Sequence, residues 1–358
     1  MLVDTPIDEL LAWPSEDGAR VQTLLALRRW WMTDLYRQIR TEWEQHDSDL
    51  VTKEGEAPSV EALPSFSTFV WVDKYIQDRL WEEVARIVDH RLPELDATLE
   101  PRPDDCGTLT LDPELDYPDY YEAIDFHRQP GGIWRDNRGA AIYAMGARVI
   151  HVGRNDQFEL HDKFVDDLPV DNPRSVLDLA CGFGKTTFSL KRRWPDANVA
   201  GIDLSSPCLA LARRMASDRG LSIDWRQGDA EHLPYADASF DLVTVTMSLH
   251  ELPLDAIHRT LAEARRVLRP GGTLAALENR LIGEPLRDEL GAWHSDVIAE
   301  PYMNPFRAQD FAALAGDAGF ETVEVSNWYP PGASPGSEHD AANWSSPWSL
   351  LVAVRSDR

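Results

Sequence analysis

The chain has 358 residues, 43% of them apolar, which exceeds a typical single domain and predicts one full α/β unit plus an appendage, with ample material for a core. Its 61 Asp and Glu against 35 Lys and Arg give a formal net charge of −26, and no local Lys/Arg cluster offsets it, so no nucleic-acid partner is expected. The opening stretch MLVDTPIDELLAWP carries acids where a signal peptide needs bases, and no apolar run approaches the about 18 residues that span a bilayer; the expectation is a soluble, cytoplasmic protein with no membrane partner.

Residues 1 to about 95 hold two amphipathic helical patterns. Leu24, Leu27, Trp31, Leu35 and Ile39 recur at spacings of three and four, and so do Val72, Ile76, Leu80, Val84 and Ile87. Between them, Asp47 to Ser65 carries Gly55, Pro58 and Pro64 and reads as a loop. From 96 to 137, prolines and acids interleave with Tyr117, Tyr120, Tyr121, Phe126 and Trp134, a composition poor for helix or sheet. A third helix is expected over Ala140 to Val152 and a fourth over Gln157 to Leu168. Beyond Ser175, strands at 175–180, 198–203, 222–227, 241–246, 272–278, 321–327 and 348–354 alternate with helices, the pattern of a largely parallel sheet covered on both faces. The three cysteines, Cys106, Cys181 and Cys208, form no CxxC pair and read as reduced thiols.

The run VLDLACGFGKTTF, 176–188, opens like three kinds of nucleotide site. A phosphate-cradling GxxxxGK[ST] loop needs glycine at 179, where the chain has Leu179. A dinucleotide GxGxxG turn needs glycine at 187, where it has Thr187, which weakens that reading without excluding it. The third form, acid-x-G-x-G-x-G, fits Asp178 to Gly184 with Ala180 as the first small residue. Three further stretches follow in order: VAGIDLS, ending on Asp203 at a strand tip; GDAEHLP, bearing Asp229; and EARRVLRPGGTLAALE.

Together these four motifs, over 175 to about 355, resemble class I S-adenosylmethionine-dependent methyltransferases, most of all the ubiquinone/menaquinone-type and natural-product members. The resemblance implies a Rossmann-like α/β fold: a seven-stranded sheet with the last strand antiparallel, plus an N-terminal, mainly helical domain. The expected division is an N-terminal helical and lid region at 1–137 and a cofactor-binding domain at 138–358. It also implies S-adenosylmethionine as cofactor, with Asp178, Ala180, Cys181, Gly182 and Gly184 at its methionine end. Asp203 and Leu204 would meet the ribose, Asp229 and Ala230 the adenine, and Thr246 and Met247 would stand near it at the end of the fourth strand. Because this cofactor has no phosphate, Lys185 is expected to be a solvated helix residue.

In-line methyl transfer to a hydroxyl needs a proton acceptor. The stretch VTMSLHELP offers His250, oriented by Glu251 or another acid, against the plainer role of capping the next helix. DYPDYYEAIDFHRQPGGIW offers Tyr121 and His127 within an aromatic lid hinged at Gly131 and Gly132, or simply a packed linker. Trp293, His294, Tyr302 and Met303, in the insert after the fifth strand, are further candidate walls. With so many acids a chance carboxylate pair carries no weight, and no metal is inferred. The expected activity is methylation of oxygen or carbon on a small, apolar or aromatic molecule. An N- or S-methyltransferase, a nicotinamide-dependent reductase and a non-catalytic scaffold of the same fold stay open. The helical domain would cover the site and set substrate choice or the formation of a homodimer.

Overall fold

Strands whose apolar residues run without interruption can be satisfied only between two covering layers, and the central strands here are of that kind. The computed structural model describes residues 6–13, 18–50, 59–150, 157–280, 283–336 and 347–356. Its elements, in chain order, are α1 (Ile7–Leu10), α2 (Gly18–Trp30), a π turn (Trp31–Leu35), α3 (Tyr36–Leu50), α4 (Phe66–Leu99), β1 (Thr108–Thr110), α5 (Asp119–Glu122), α6 (Asn137–Ile150) and α7 (Glu159–Asp166). Then come β2 (Ser175–Leu179), α8 (Lys185–Arg193), β3 (Asn198–Asp203), α9 (Ser206–Asp218), β4 (Asp224–Gln227), β5 (Phe240–Thr246), α10 (Leu254–Val267) and β6 (Leu268–Glu278). The chain continues with α11 (Pro285–Val297), α12 (Met303–Arg307), α13 (Phe311–Asp317), β7 (Thr322–Trp328) and β8 (Trp348–Val354).

The strands form one sheet in the order β1-β4-β3-β2-β5-β6-β8-β7. β8 runs antiparallel to both β6 and β7, and the other pairings are parallel. All seven predicted strands are present. An eighth, β1, adds an edge to β4 from the segment read as poor sheet material, because three residues are too short to show a period; the Thr108 N–H bonds the Ile223 carbonyl at 3.2 Å. β6 starts four residues before its predicted beginning. Phe240 pairs with Leu268, and the Pro270-Gly271-Gly272 turn is absorbed as an irregularity inside the strand.

Side chains alternate across β2. Leu177 and Leu179 pack with residues of α10 and α13, while Val176 faces the opposite way with residues of α7 and α8. Both N-terminal patterns are helical, but the first is broken by the π turn, which shifts the helical phase at Trp31. In α4, Val72, Ile76, Leu80, Val84 and Ile87 are all buried, as their spacing predicts. Val21 and Leu80 share one core with Met145 of α6 and Leu209 and Met215 of α9, so the helices sit directly on the sheet's cover. α6 approaches α4 so closely at Gly146 that a Cβ there would stand 2.3 Å from the Trp81 ring. α6 and α7 form at 137–150 and 159–166; Val152, the predicted end of the third helix, and 51–58 of the predicted loop lie outside the described residues. The described part of that loop begins helical, since α3 reaches Leu50. No helix of the described residues is long and apolar enough to cross a membrane.

Candidate active site

The carboxyl ends of β2, β3, β4 and β5 open into a cavity of about 320 Å³ that also reaches α2, α4 and α11. Its sheet side is made by backbone turns. Ala180 (φ 47°) and Gly182 (φ 53°) are both left-handed, which bends the chain sharply between β2 and α8. Asp203 ties this turn to the next strand: its carboxylate accepts the Gly182 N–H at 2.7 Å and the Ser205 N–H at 2.8 Å. Asp178 stands beneath, buried, accepting the hydroxyls of Thr187 at 2.6 Å and Thr244 at 2.7 Å. Burial pushes both aspartates up to about 6, against the pull of these hydrogen bonds.

Of the residues expected at the cofactor, Asp178, Ala180, Cys181, Gly182, Asp203 and Leu204 line this cavity, as do Asp229, Ala230, Thr246 and Met247. Gly184 does not. It lies below the turn, where a Cβ would meet the Trp225 ring at 2.7 Å and Phe188 at 2.9 Å; glycine is needed there for packing and for φ 92°. Lys185 corrects the reading of it as a solvated residue. It lines the cavity with its ammonium 5.3 Å from the centroids of Tyr143 and Phe183, and burial pulls it down to about 8.

Asp178, Asp203, Asp229, Glu231 and Glu251 put carboxylates around this end, where Lys185 is the cation. Such a set suits a cofactor carrying positive charge and repels a pyrophosphate. The hydroxyl of Thr246, at the end of β5, is buried with no hydrogen-bond partner among the described residues, so a polar ligand would satisfy it. The residues present therefore fit S-adenosylmethionine.

The structure gathers the two histidines that the sequence offered as separate candidates. His250, on the turn after β5, is buried, and its Nδ1 is 2.6 Å from Glu278 Oε2. Glu278 is not Glu251: it ends β6, is fully buried, and its other oxygen accepts the Ser248 and Leu249 N–H groups at 2.9 and 2.7 Å. Of the two options the sequence left open for orienting His250, Glu251 or another acid, the structure takes the second. Glu251 instead stands 3.3 Å from His127 Nε2. Glu300, from the insert after β6, joins the two rings: Oε1 is 2.7 Å from His127 Nδ1 and Oε2 is 3.9 Å from His250 Nε2.

The result is an alternating series, Glu278, His250, Glu300, His127, Glu251. Burial lowers both imidazoles, but the carboxylates outweigh it, raising His250 to about 9 and His127 to about 10. Burial raises Glu300, yet His127 and His250 bring it below the usual carboxylate range. His127 and Arg128 take left-handed backbone (φ 57° and 59°), a local strain that the packing around the ring must offset.

Tyr120, Tyr121, Phe126 and His127 line the cavity; Tyr117 stacks on Tyr121 with centroids 6.1 Å apart, and Trp134 packs on it at a tilt of 42° and 6.3 Å. Tyr120 donates to Glu231 at 2.6 Å, pinning this aromatic segment to the loop after β4. Of the insert residues, His294 and Met303 line the cavity. Trp293 packs instead on Phe66 and Phe69, and Tyr302 on Tyr120. Glu278 and Glu300 were not among the candidates, although Glu278 closes the stretch EARRVLRPGGTLAALE and Glu300 lies in the insert between His294 and Tyr302; an acid closing an apolar strand, as in LAALE, is the signal that Glu278 offered. Tyr143, whose ring lies nearly parallel to His127 at 6.4 Å, was not among them either.

Over residues 176–272 the chain matches the family described as Methyltransferase domain. The demethylmenaquinone methyltransferase of Thermus thermophilus is 42% identical over 106 residues, 30% of this chain and 47% of that protein. The ubiquinone/menaquinone biosynthesis C-methyltransferase UbiE of Dinoroseobacter shibae is 36% identical over 188 residues, 46% of this chain and 74% of that one. An uncharacterized methyltransferase of Synechocystis is 30% identical over 189 residues, 51% of this chain and 83% of that one. The chain spans about half the length of the demethylmenaquinone methyltransferases it matches.

Proposed function

The chain belongs to the class I S-adenosylmethionine-dependent methyltransferases, and from that premise we propose that it methylates oxygen or carbon of a small, apolar or aromatic molecule, with His250 as the proton acceptor. When bound, the cofactor supplies an electrophilic methyl group on a sulfonium. Gly182, Asp203 and Asp229 would hold it, and the acids of that end favour its positive charge. The acceptor would occupy the rest of the cavity, between the aromatic segment at 117–134 and the helical wall.

The observation that carries this reading is His250 on the wall of the same cavity as the cofactor motifs, backed by the buried Glu278. Glu278 fixes the imidazole through Nδ1 and leaves Nε2, 3.9 Å from Glu300 and without a hydrogen bond among the described residues, to take a proton from an acceptor hydroxyl or an acidic carbon. The resulting imidazolium is favoured by Glu278 and Glu300. Tyr121, Tyr143 and Phe126 keep water from the reacting atoms. Carbon as a target accords with the C-methyltransferase named among the relatives.

The test is His250→Asn with a methyl-labelled cofactor and a panel of phenols and quinols. Retained affinity for S-adenosylhomocysteine with loss of turnover supports the role, and undiminished turnover assigns His250 to structure.

A further inference from the structure

A guanidinium stays protonated at any ordinary pH, so burying one without a partner is unfavourable, and such a group persists in a cavity wall chiefly where a ligand completes it. Arg28, on α2, is 5% exposed and lines the cavity. Its Nε and Nη1 are wholly buried with no hydrogen bond, and among the described residues no carboxylate lies within ion-pair distance of it. Of the other arginines of this wall, Arg287 pairs with Glu284 at 3.5 Å, Arg307 donates to Ser295 at 3.1 Å with its Nε left over, and Arg280, less buried, lies 5.9 Å from the Phe311 ring centroid with its Nε likewise unpartnered; among the described residues Arg28 alone of the four has two such nitrogens. Asp73, the nearest opposing charge in effect, is taken up by His294 Nδ1 at 2.7 Å and Gln77 Nε2 at 3.4 Å. A second buried donor in the same wall, the indole N–H of Trp81, also lacks a partner. The surroundings are otherwise apolar and aromatic, with Trp31 and Met32 one turn along from Arg28.

Two orphaned donors, one of them charged, set among indole rings, describe a receptor for a flat apolar body with an anionic end. A carboxylate matches the planar fork of a guanidinium with two parallel hydrogen bonds. We propose that the methyl acceptor is an aromatic carboxylic acid, seated by its carboxylate on Arg28 and by its ring against Trp31 and Trp81. This rests on the methyltransferase reading above and narrows it to an acidic substrate class. It runs against the chain's overall charge of −26, which makes an unpaired guanidinium at this point of the wall a local choice rather than a reflection of composition.

The probes are 2-naphthoate and its neutral isostere 2-naphthamide, titrated calorimetrically into the full chain with and without saturating S-adenosylhomocysteine. The expected result is naphthoate binding at least about tenfold more tightly than the amide. Arg28→Met should bring the two within about twofold while leaving S-adenosylhomocysteine affinity unchanged. It should also melt no lower than the parent, because a methionine removes an unpaired buried charge. If Arg28→Met does not fold, Arg28→Gln serves in its place, with the same loss of preference expected. Equal binding of the two probes, binding of neither, or a preference that survives the substitution overturns the proposal. Failure of S-adenosylhomocysteine to bind the parent overturns the methyltransferase reading instead, and the naphthoate preference, measured without it, reports separately.

Discussion

The two ends of the cavity are built in different ways. The cofactor end is backbone: left-handed turns at Ala180 and Gly182, and strand-tip acids that hold N–H groups, all from short contiguous stretches between 178 and 247. The acceptor end is side chains from segments far apart in sequence, with Arg28, Gln77, His127, His250 and Glu300 meeting only in the folded chain. A site of the first kind is a property of a motif; one of the second kind is a property of packing. Substitutions should therefore separate the two ends cleanly, with affinity changing at one and turnover or acceptor choice at the other.

The largest effect should come from Glu278→Gln, which leaves the fold's hydrogen-bonding shape but removes the charge behind His250. Turnover should fall by about 1,000-fold, the range a positioned general base supplies, with S-adenosylhomocysteine affinity unchanged. The pH profile distinguishes this from a structural fault. The parent's rate should climb with pH and level off near 9, where His250 becomes neutral, and in the variant the rise should move down toward the ordinary histidine range. Asp203→Ala should do the opposite, lowering cofactor affinity by about 100-fold through loss of charge-assisted hydrogen bonds. Titration calorimetry with S-adenosylhomocysteine reads it, and an unchanged affinity would remove the assigned ribose contact.

A smaller effect is expected on stability. His250 and His127 bind a proton more tightly folded than unfolded, so their contribution is fully present below about pH 6.5 and lost as pH rises through about 9 and 10. The melting temperature should therefore fall most steeply between about pH 7 and 9, where both rings are protonated folded and neutral unfolded, and Glu278→Gln should flatten that fall. Thr244→Val, which strips one of two hydroxyls from buried Asp178, should destabilise by about 1–3 kcal/mol at neutral pH, read by denaturant melts. Smallest is Lys185→Met. Removing a cation from a cofactor end that favours positive charge should change S-adenosylhomocysteine affinity by less than about threefold, whereas a phosphate-bearing cofactor would be lost outright.

The strands were legible because continuous apolar runs between turn residues have one reading, and the family resemblance because its motifs are contiguous. Asp178, Asp203 and Asp229 line the cavity where the motifs put them. Gly184 and Lys185 show where local reading stops. Both belong to the glycine turn, yet the ring of Trp225, 41 positions further on, makes one a packing residue, and the rings of Tyr143 and Phe183 hold the other inside the cavity. β1 was invisible because its three residues join the sheet only by pairing with β4.

By itself the sequence determined the alternation of strands and helices and the turn that marks the cofactor end, since each of these is carried by neighbours along the chain. Only the tertiary structure decided that Glu278 rather than Glu251 backs His250, that Glu300 links two histidines 123 positions apart, and that Arg28 stands buried without a partner among the described residues. Those depend on which side chains are brought within a few ångströms of one another and shut away from water, and neither condition is a property of spacing along the chain.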